Sequence, residues 1–216
     1  MARGEGRMSI AWPAIDRHRL AGLQDGVYSI AMTLLVLELR LPSLGEPLTD
    51  ALLWSALAST WPRLLTWLLS FWVLAIFWIG DVRTLATLAA LDRWLLRLGL
   101  WRLALVSLLP FSSALIGEHG NLAPAAAVYA AHLFLLALAE AVRHLYLRGH
   151  PAIVTWPDPA AKADAAVRAV STLVCTAAAF GLAFVAPGYN MLALLPILVL
   201  GLFRRFRRTV SSGGAG

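Results

Sequence analysis

The positions where this chain could do chemistry are polar residues set inside otherwise apolar stretches. Residues 20–42, LAGLQDGVYSIAMTLLVLELRLP, carry Gln24 and Asp25 soon after Arg17 and Arg19, then run almost wholly apolar to Arg40. On a helix of 3.6 residues per turn, Gly22, Gly26, Ser29 and Thr33 share one side, a seam of small side chains opened by a GxxxG pair. Ile30, Leu34 and Leu37 form a second stripe beside it, with Thr33 on the border. A small-residue seam lets another helix backbone come close, and an acid at a membrane boundary demands a partner. Arg19 and Asp25 are offset by about 120° around the helix and about 9 Å along it. Each is therefore expected to reach a neighbouring helix, in a hydrogen-bond network that also takes in Gln24. Two roles are open to that network: a structural brace, or a direct part in transport.

The other titratable residues do not assemble a catalytic set. There is no GxGxxG, P-loop, HExxH or GxSxG, and His18, His119, His132, His144 and His150 are scattered. Glu140 and His144, spaced i and i+4 around Arg143, share a helix face but are too few to hold a metal, and read as a solvated or ion-paired helix end. His132 falls in mid-span, where it serves either an interhelical hydrogen bond or a proton or cation path. Cys175 is the single cysteine. No enzyme and no resident cofactor is expected.

The composition places the scaffold for these residues in a bilayer. Of the 216 residues, 60% are hydrophobic and 14% charged, and the mean hydropathy is +0.73, far from an ordinary soluble domain. A hydrocarbon core about 30 Å thick takes about 20 residues of helix. That places spans at 22–40, 62–80, 95–116, 124–146, 166–186 and 189–204, the last two joined by the turn APGYN. The expected fold is all-α, a polytopic membrane protein with six transmembrane helices in one bundle over 22–204. A cytoplasmic segment, 1–21, precedes it and a basic, Gly-rich cytoplasmic tail, 205–216, follows. No apolar h-region with a small-residue cleavage site follows the basic N-terminus, so no cleaved signal peptide is expected.

Charge sets the orientation. Of the 18 Lys and Arg residues, all but Arg40 and Arg63 lie before the first span, around the second and fourth connections, or after the last span. By the positive-inside rule both termini are cytoplasmic, in the cell (plasma) membrane. The net charge of +6 then reflects topology and contact with anionic lipids at the cytoplasmic face, not a nucleic-acid footprint.

The segment RLAGLQDGVYSIAMTLLVLELRLP resembles the first-span signature of the transmembrane protein 175 family in its short six-span bacterial form. The matching positions are Arg19, Asp25, Gly26, Ile30, Ala31, Thr33, Leu34, Leu35, Leu37 and Glu38. The block from LLSFWVLAIFWIGDVRT through LLPFSSALIGEHG is similar to the family's second and third spans, so the likeness covers about residues 17–120. Departures stand out too. Leu23-Gln24 replaces a Phe-Ser pair, Asp81-Val82 stands where a His pair is common, and Gly99 stands where an Asn is usual.

The resemblance implies a potassium-selective channel, passing K⁺ passively through a pore at the axis of a homotetramer, with the first helix of each subunit lining it. It implies a hydrophobic constriction at Ile30, with Thr33, Leu34 and Leu37 completing the selectivity region and K⁺ passing transiently at Ile30 and Thr33. Glu38 would stand at the outer mouth, or pair with Arg40 or Arg63. An apolar ring offers no ligand, so the cation that sheds water at least cost passes best. On composition alone, Ile30, Leu34 and Leu37 would read as lipid-facing or core residues. The rival reading is a small-molecule or proton-coupled secondary transporter, which His132 and the intraspan prolines Pro110 and Pro196 would serve.

Overall fold

The computed structural model describes residues 17–42, 49–197 and 199. Helix α1 (Arg17–Leu34) continues as a 3₁₀ turn over Leu35–Glu38. A short α2 (Asp50–Ser59) follows, then four long rods: α3 (Trp61–Thr87), α4 (Arg93–His119), α5 (Ala123–Gly149) and α6 (Pro159–Val185). Among the described residues five helices are long and apolar enough to cross a bilayer, α1 with its 3₁₀ extension and the four rods of 27 residues each. The sixth span, expected at 189–204, is described over 189–197 and at 199; its remainder lies outside the described residues, as do 1–16 and the tail 205–216. Its beginning is a 3₁₀ turn at Asn190–Leu194, reached through Gly188 at φ +88°.

Helices α2, α4 and α6 start where the sequence supplies a side-chain acceptor for a free N–H group. Asp92 Oδ1 accepts from Leu95 N at 2.7 Å to open α4, and Asp158 Oδ1 accepts from Ala161 N at 2.5 Å to open α6. Proline occupies the first turn of α3, α5 and α6, where its missing N–H has no partner to lose. At 1.5 Å per residue each rod is about 40 Å long, more than the hydrocarbon core requires. Helices α3, α4 and α5 therefore overrun the expected spans at both ends and α6 at its start, while α1 begins at Arg17, inside the segment 1–21 expected to precede it.

The core runs through α3, α4 and α5, with Leu74, Val106, Leu109, Tyr129, Leu133 and Leu136 fully buried. Tyr28, Ala31 and Leu35 join it from α1, and Ala179 and Ala183 from α6. Small residues on α5 and α6 bring those two backbones close, as packing without a hydrophobic gradient requires. Hydroxyls stitch the rods at depth, Ser70 Oγ lying 2.8 Å from Ser113 Oγ and 3.0 Å from Tyr129 Oη. His132 is absorbed in the same way. Its Nε2 donates to the Leu105 carbonyl at 2.8 Å and its Nδ1 accepts from Ser112 Oγ at 2.7 Å, near the intrahelical Pro110.

At the end of the bundle where α1 begins, the α3–α4 and α5–α6 connections pair through their main chains. Leu88 and Val154 form an antiparallel bridge, with Ala89 N donating to Ile153 O at 3.0 Å and Thr155 N donating to Thr87 O at 2.7 Å. Arg17 Nη1 donates to Leu88 O at 2.5 Å.

Candidate functional site

The site is read from α1, whose two faces differ. Leu20, Gln24, Tyr28, Ala31 and Leu35 recur at three- and four-residue steps, are buried, and turn toward α3 and α4. The opposite side carries Gly22, Gly26, Ser29 and Thr33 with Leu23, Ile30, Leu34 and Leu37 on its shoulder, all exposed in the single chain. Ile30 is 61% exposed and Leu37 60%, so among the described residues no helix covers this apolar stripe. Thr33 Oγ1 donates to the Ile30 carbonyl at 2.9 Å, which spends the hydroxyl hydrogen inside the helix and leaves oxygen lone pairs facing outward.

The change from α to 3₁₀ after Leu34 alters the register. Residues i and i+3 eclipse in a 3₁₀ turn, so Leu37 comes into line with Leu34 and Glu38 with the buried Leu35. Glu38 is half-buried and lines a cavity of about 10 Å³ with Arg63, Trp67, Ser113 and Glu118, off the exposed stripe.

The structure does not draw Arg19, Gln24 and Asp25 into one network. Arg19 is exposed, Gln24 is buried against α3 and α4, and Asp25 accepts from Trp78 Nε1 of α3 at 2.8 Å. The larger polar network lies elsewhere. Asp81 of α3 accepts from Tyr28 Oη of α1 at 2.6 Å through Oδ2; through Oδ1 it pairs with Arg102 of α4 at 2.8 Å and Arg143 of α5 at 2.6 Å. Glu140 pairs with Arg143 one turn away on α5, with Arg102 at 3.5 Å, and with Arg168 of α6 at 4.0 Å. Arg102 is 2% exposed and Asp81 also 2%. Glu140 and Arg143 are thus a buried ion-paired junction, not a solvated helix end.

Reading the sequence missed this junction because spans of about 20 residues left Asp81 just beyond the second and counted Arg102, Arg143 and Arg168 as a basic flank. The signal was present: charges inside FWIGDVRT and LGLWRLALV need partners once the helices are longer. Among the described residues no group of three or more His, Cys, Asp or Glu is placed to hold a metal ion.

The family model described as "Endosomal/lysosomal potassium channel TMEM175" matches residues 19–110. A protein of Streptomyces collinus named as a potassium channel is 33% identical over 151 residues, 67% of this chain and 72% of that one. The chain belongs to the TMEM175 family. A second protein named as a potassium channel, from Chamaesiphon minutus, is 35% identical over 123 residues, 56% of this chain and 60% of its own. Among solved structures, that of a lysosomal potassium-selective channel TMEM175 homolog from Chamaesiphon minutus superposes with a TM-score of 0.67 at 28% identity. It covers 88% of this chain and 97% of its own. The matched stretch of the TMEM175 family model spans α1, α3 and most of α4, and so takes in both faces of α1 and two of the arms of the Asp81 junction.

Proposed function

We propose that this protein is a potassium-selective channel that passes K⁺ passively through a homotetrameric pore, lined by the outer face of α1 and narrowed at Ile30. The observation that carries this is the bare stripe of Ile30, Thr33, Leu34 and Leu37 on a helix whose other face is firmly docked. Apolar side chains of that size, uncovered by the described residues of their own chain and set beside a seam of small residues, fit the axis of an assembly of copies. A ring of four Ile30 side chains gives a constriction without ligands. K⁺ and Na⁺ then differ by the cost of dehydration, which is lower for the larger ion. The outward lone pairs of Thr33 replace part of the lost hydration just past the ring, and Leu34 and Leu37 extend the apolar lining in line with each other. Glu38, turned toward the Arg63 cavity, serves that junction better than a pore ring.

In this reading the end bearing the α1 N-terminus faces the cytoplasm across the plasma membrane, and its arginines meet anionic lipid headgroups. The transporter alternative loses its main support, since His132 is satisfied on both ring nitrogens by Ser112 and Leu105. The test is K⁺ against Na⁺ flux in proteoliposomes, wild type beside Ile30→Asn. An amide in the ring wets the constriction, and the K⁺ over Na⁺ preference is expected to fall by about tenfold, equal to about 1.4 kcal/mol in relative barrier. Unchanged reversal potentials in bilayer recordings remove Ile30 from the pore.

A further inference from the structure

A cavity of about 30 Å³ lies among α1, α3, α4 and α5, lined by leucines and by Gln24, Asp81, Thr84, Arg102 and Arg143. Gln24, Arg102 and Arg143 are each more than nine-tenths buried. Their atoms left without a partner among the described residues are all donors: Gln24 Nε2, Arg102 Nε and Arg143 Nε. The acceptors nearby are already used. Asp81 Oδ1 serves both arginines and Oδ2 serves Tyr28, while Glu140 serves Arg102, Arg143 and Arg168. Among these named pairs three guanidinium groups face two carboxylates, an excess of one positive charge.

We propose that this cavity is a binding site for one small monovalent anion, chloride being the abundant candidate, held by Gln24 of α1, Arg102 of α4 and Arg143 of α5. An anion accepts from every orphan donor and cancels the excess charge in a low-dielectric setting, where both effects are large. A water accepts as well, but it leaves the charge uncancelled and brings two hydrogens to a place whose carboxylate oxygens are already engaged. The volume exceeds the roughly 10–15 Å³ that one water requires and suits a single small ion, not a phosphate group. Because Gln24 is on α1, the ion ties that helix to the rest of the bundle. The binding does not depend on what α1 conducts, so its test leaves the channel reading untouched.

The full-length protein is measured in detergent with potassium as the only cation, with chloride or gluconate as the anion. Chloride is expected to raise the unfolding temperature by about 3 °C over gluconate, and bromide-soaked crystals are expected to show an anomalous peak between Gln24 and the two arginines. Gln24→Glu brings a carboxylate of its own to the same donors and is expected to abolish the chloride shift while remaining folded. Gln24→Leu is expected to lose the shift as well. Equal stability in the two salts with no bromide peak overturns the proposal, as does a chloride shift that survives Gln24→Glu.

Discussion

The inner and outer faces of α1 are built from the same short stretch of sequence to opposite rules. The inner face ends in specific, buried bonds: Tyr28 on Asp81, with Leu35 and Ala31 sunk in the core. The outer face holds no bond to another helix along Ile30, Thr33, Leu34 and Leu37 among the described residues, and the Thr33 hydroxyl turns back on its own backbone. A helix fixed on one side by direction-dependent contacts has its rotation about its own axis set. Whatever it shows on the other side is then held at a defined angle, which a lining made of non-directional apolar contacts could not arrange for itself.

Substitutions can break this contrast from the inside outward. The largest effect is expected at Arg102→Ala, which strips Asp81 and Glu140 of a shared buried partner. A loss of about 3–5 kcal/mol follows from leaving charges uncompensated, read as collapse of the folded yield and of the thermal transition in detergent. Next is Tyr28→Phe, which removes the one hydroxyl linking α1 to the junction while keeping the ring. About 1.5–3 kcal/mol of stability is at stake for a hydrogen bond to a charged group, and folded protein with unchanged unfolding would show that α1 is oriented by packing alone. Asp25→Ala and Trp78→Phe each delete the same exposed bond, worth about 1 kcal/mol or less. Both are expected to lower assembly yield to a similar degree, and their double variant should do no worse than either single one. The smallest effect on stability is expected at Thr33→Val, which removes an oxygen and little volume on the outer face. Its consequence should appear in Na⁺ permeability alone, and an unaltered selectivity there would remove the oxygen from the pathway.

Much of the bundle was legible in the sequence, because apolar runs and the bias of arginine are strong signals in a bilayer. The small seam and apolar stripe of α1 also followed directly from spacing, since they are features of one helix. What spacing did not reveal was partnership between helices. Asp81, Arg102, the Glu140–Arg143 pair and Arg168 are far apart in the chain and meet only because four rods extend past the hydrocarbon length at similar depth. Asp25 illustrates the same limit. Its need for a neighbour could be read from the sequence, but the indole of Trp78 as that neighbour could not. The 3₁₀ turn at Leu35–Glu38 was equally hidden, because nothing in LVLE distinguishes it from the continuation of an α-helix.

The main-chain clasp between the two connections at the α1 end has a mechanical meaning. Backbone pairing across Leu88 and Val154 survives exchange of side chains and yokes α3 and α4 to α5 and α6 at their turns, as a frame is closed at a corner. Helix α1 hangs on that frame by side chains, from Arg17 at its foot to Tyr28 partway up. Of the membrane-crossing rods described, it is the one whose place in that frame rests on side-chain bonds and not on main-chain pairing.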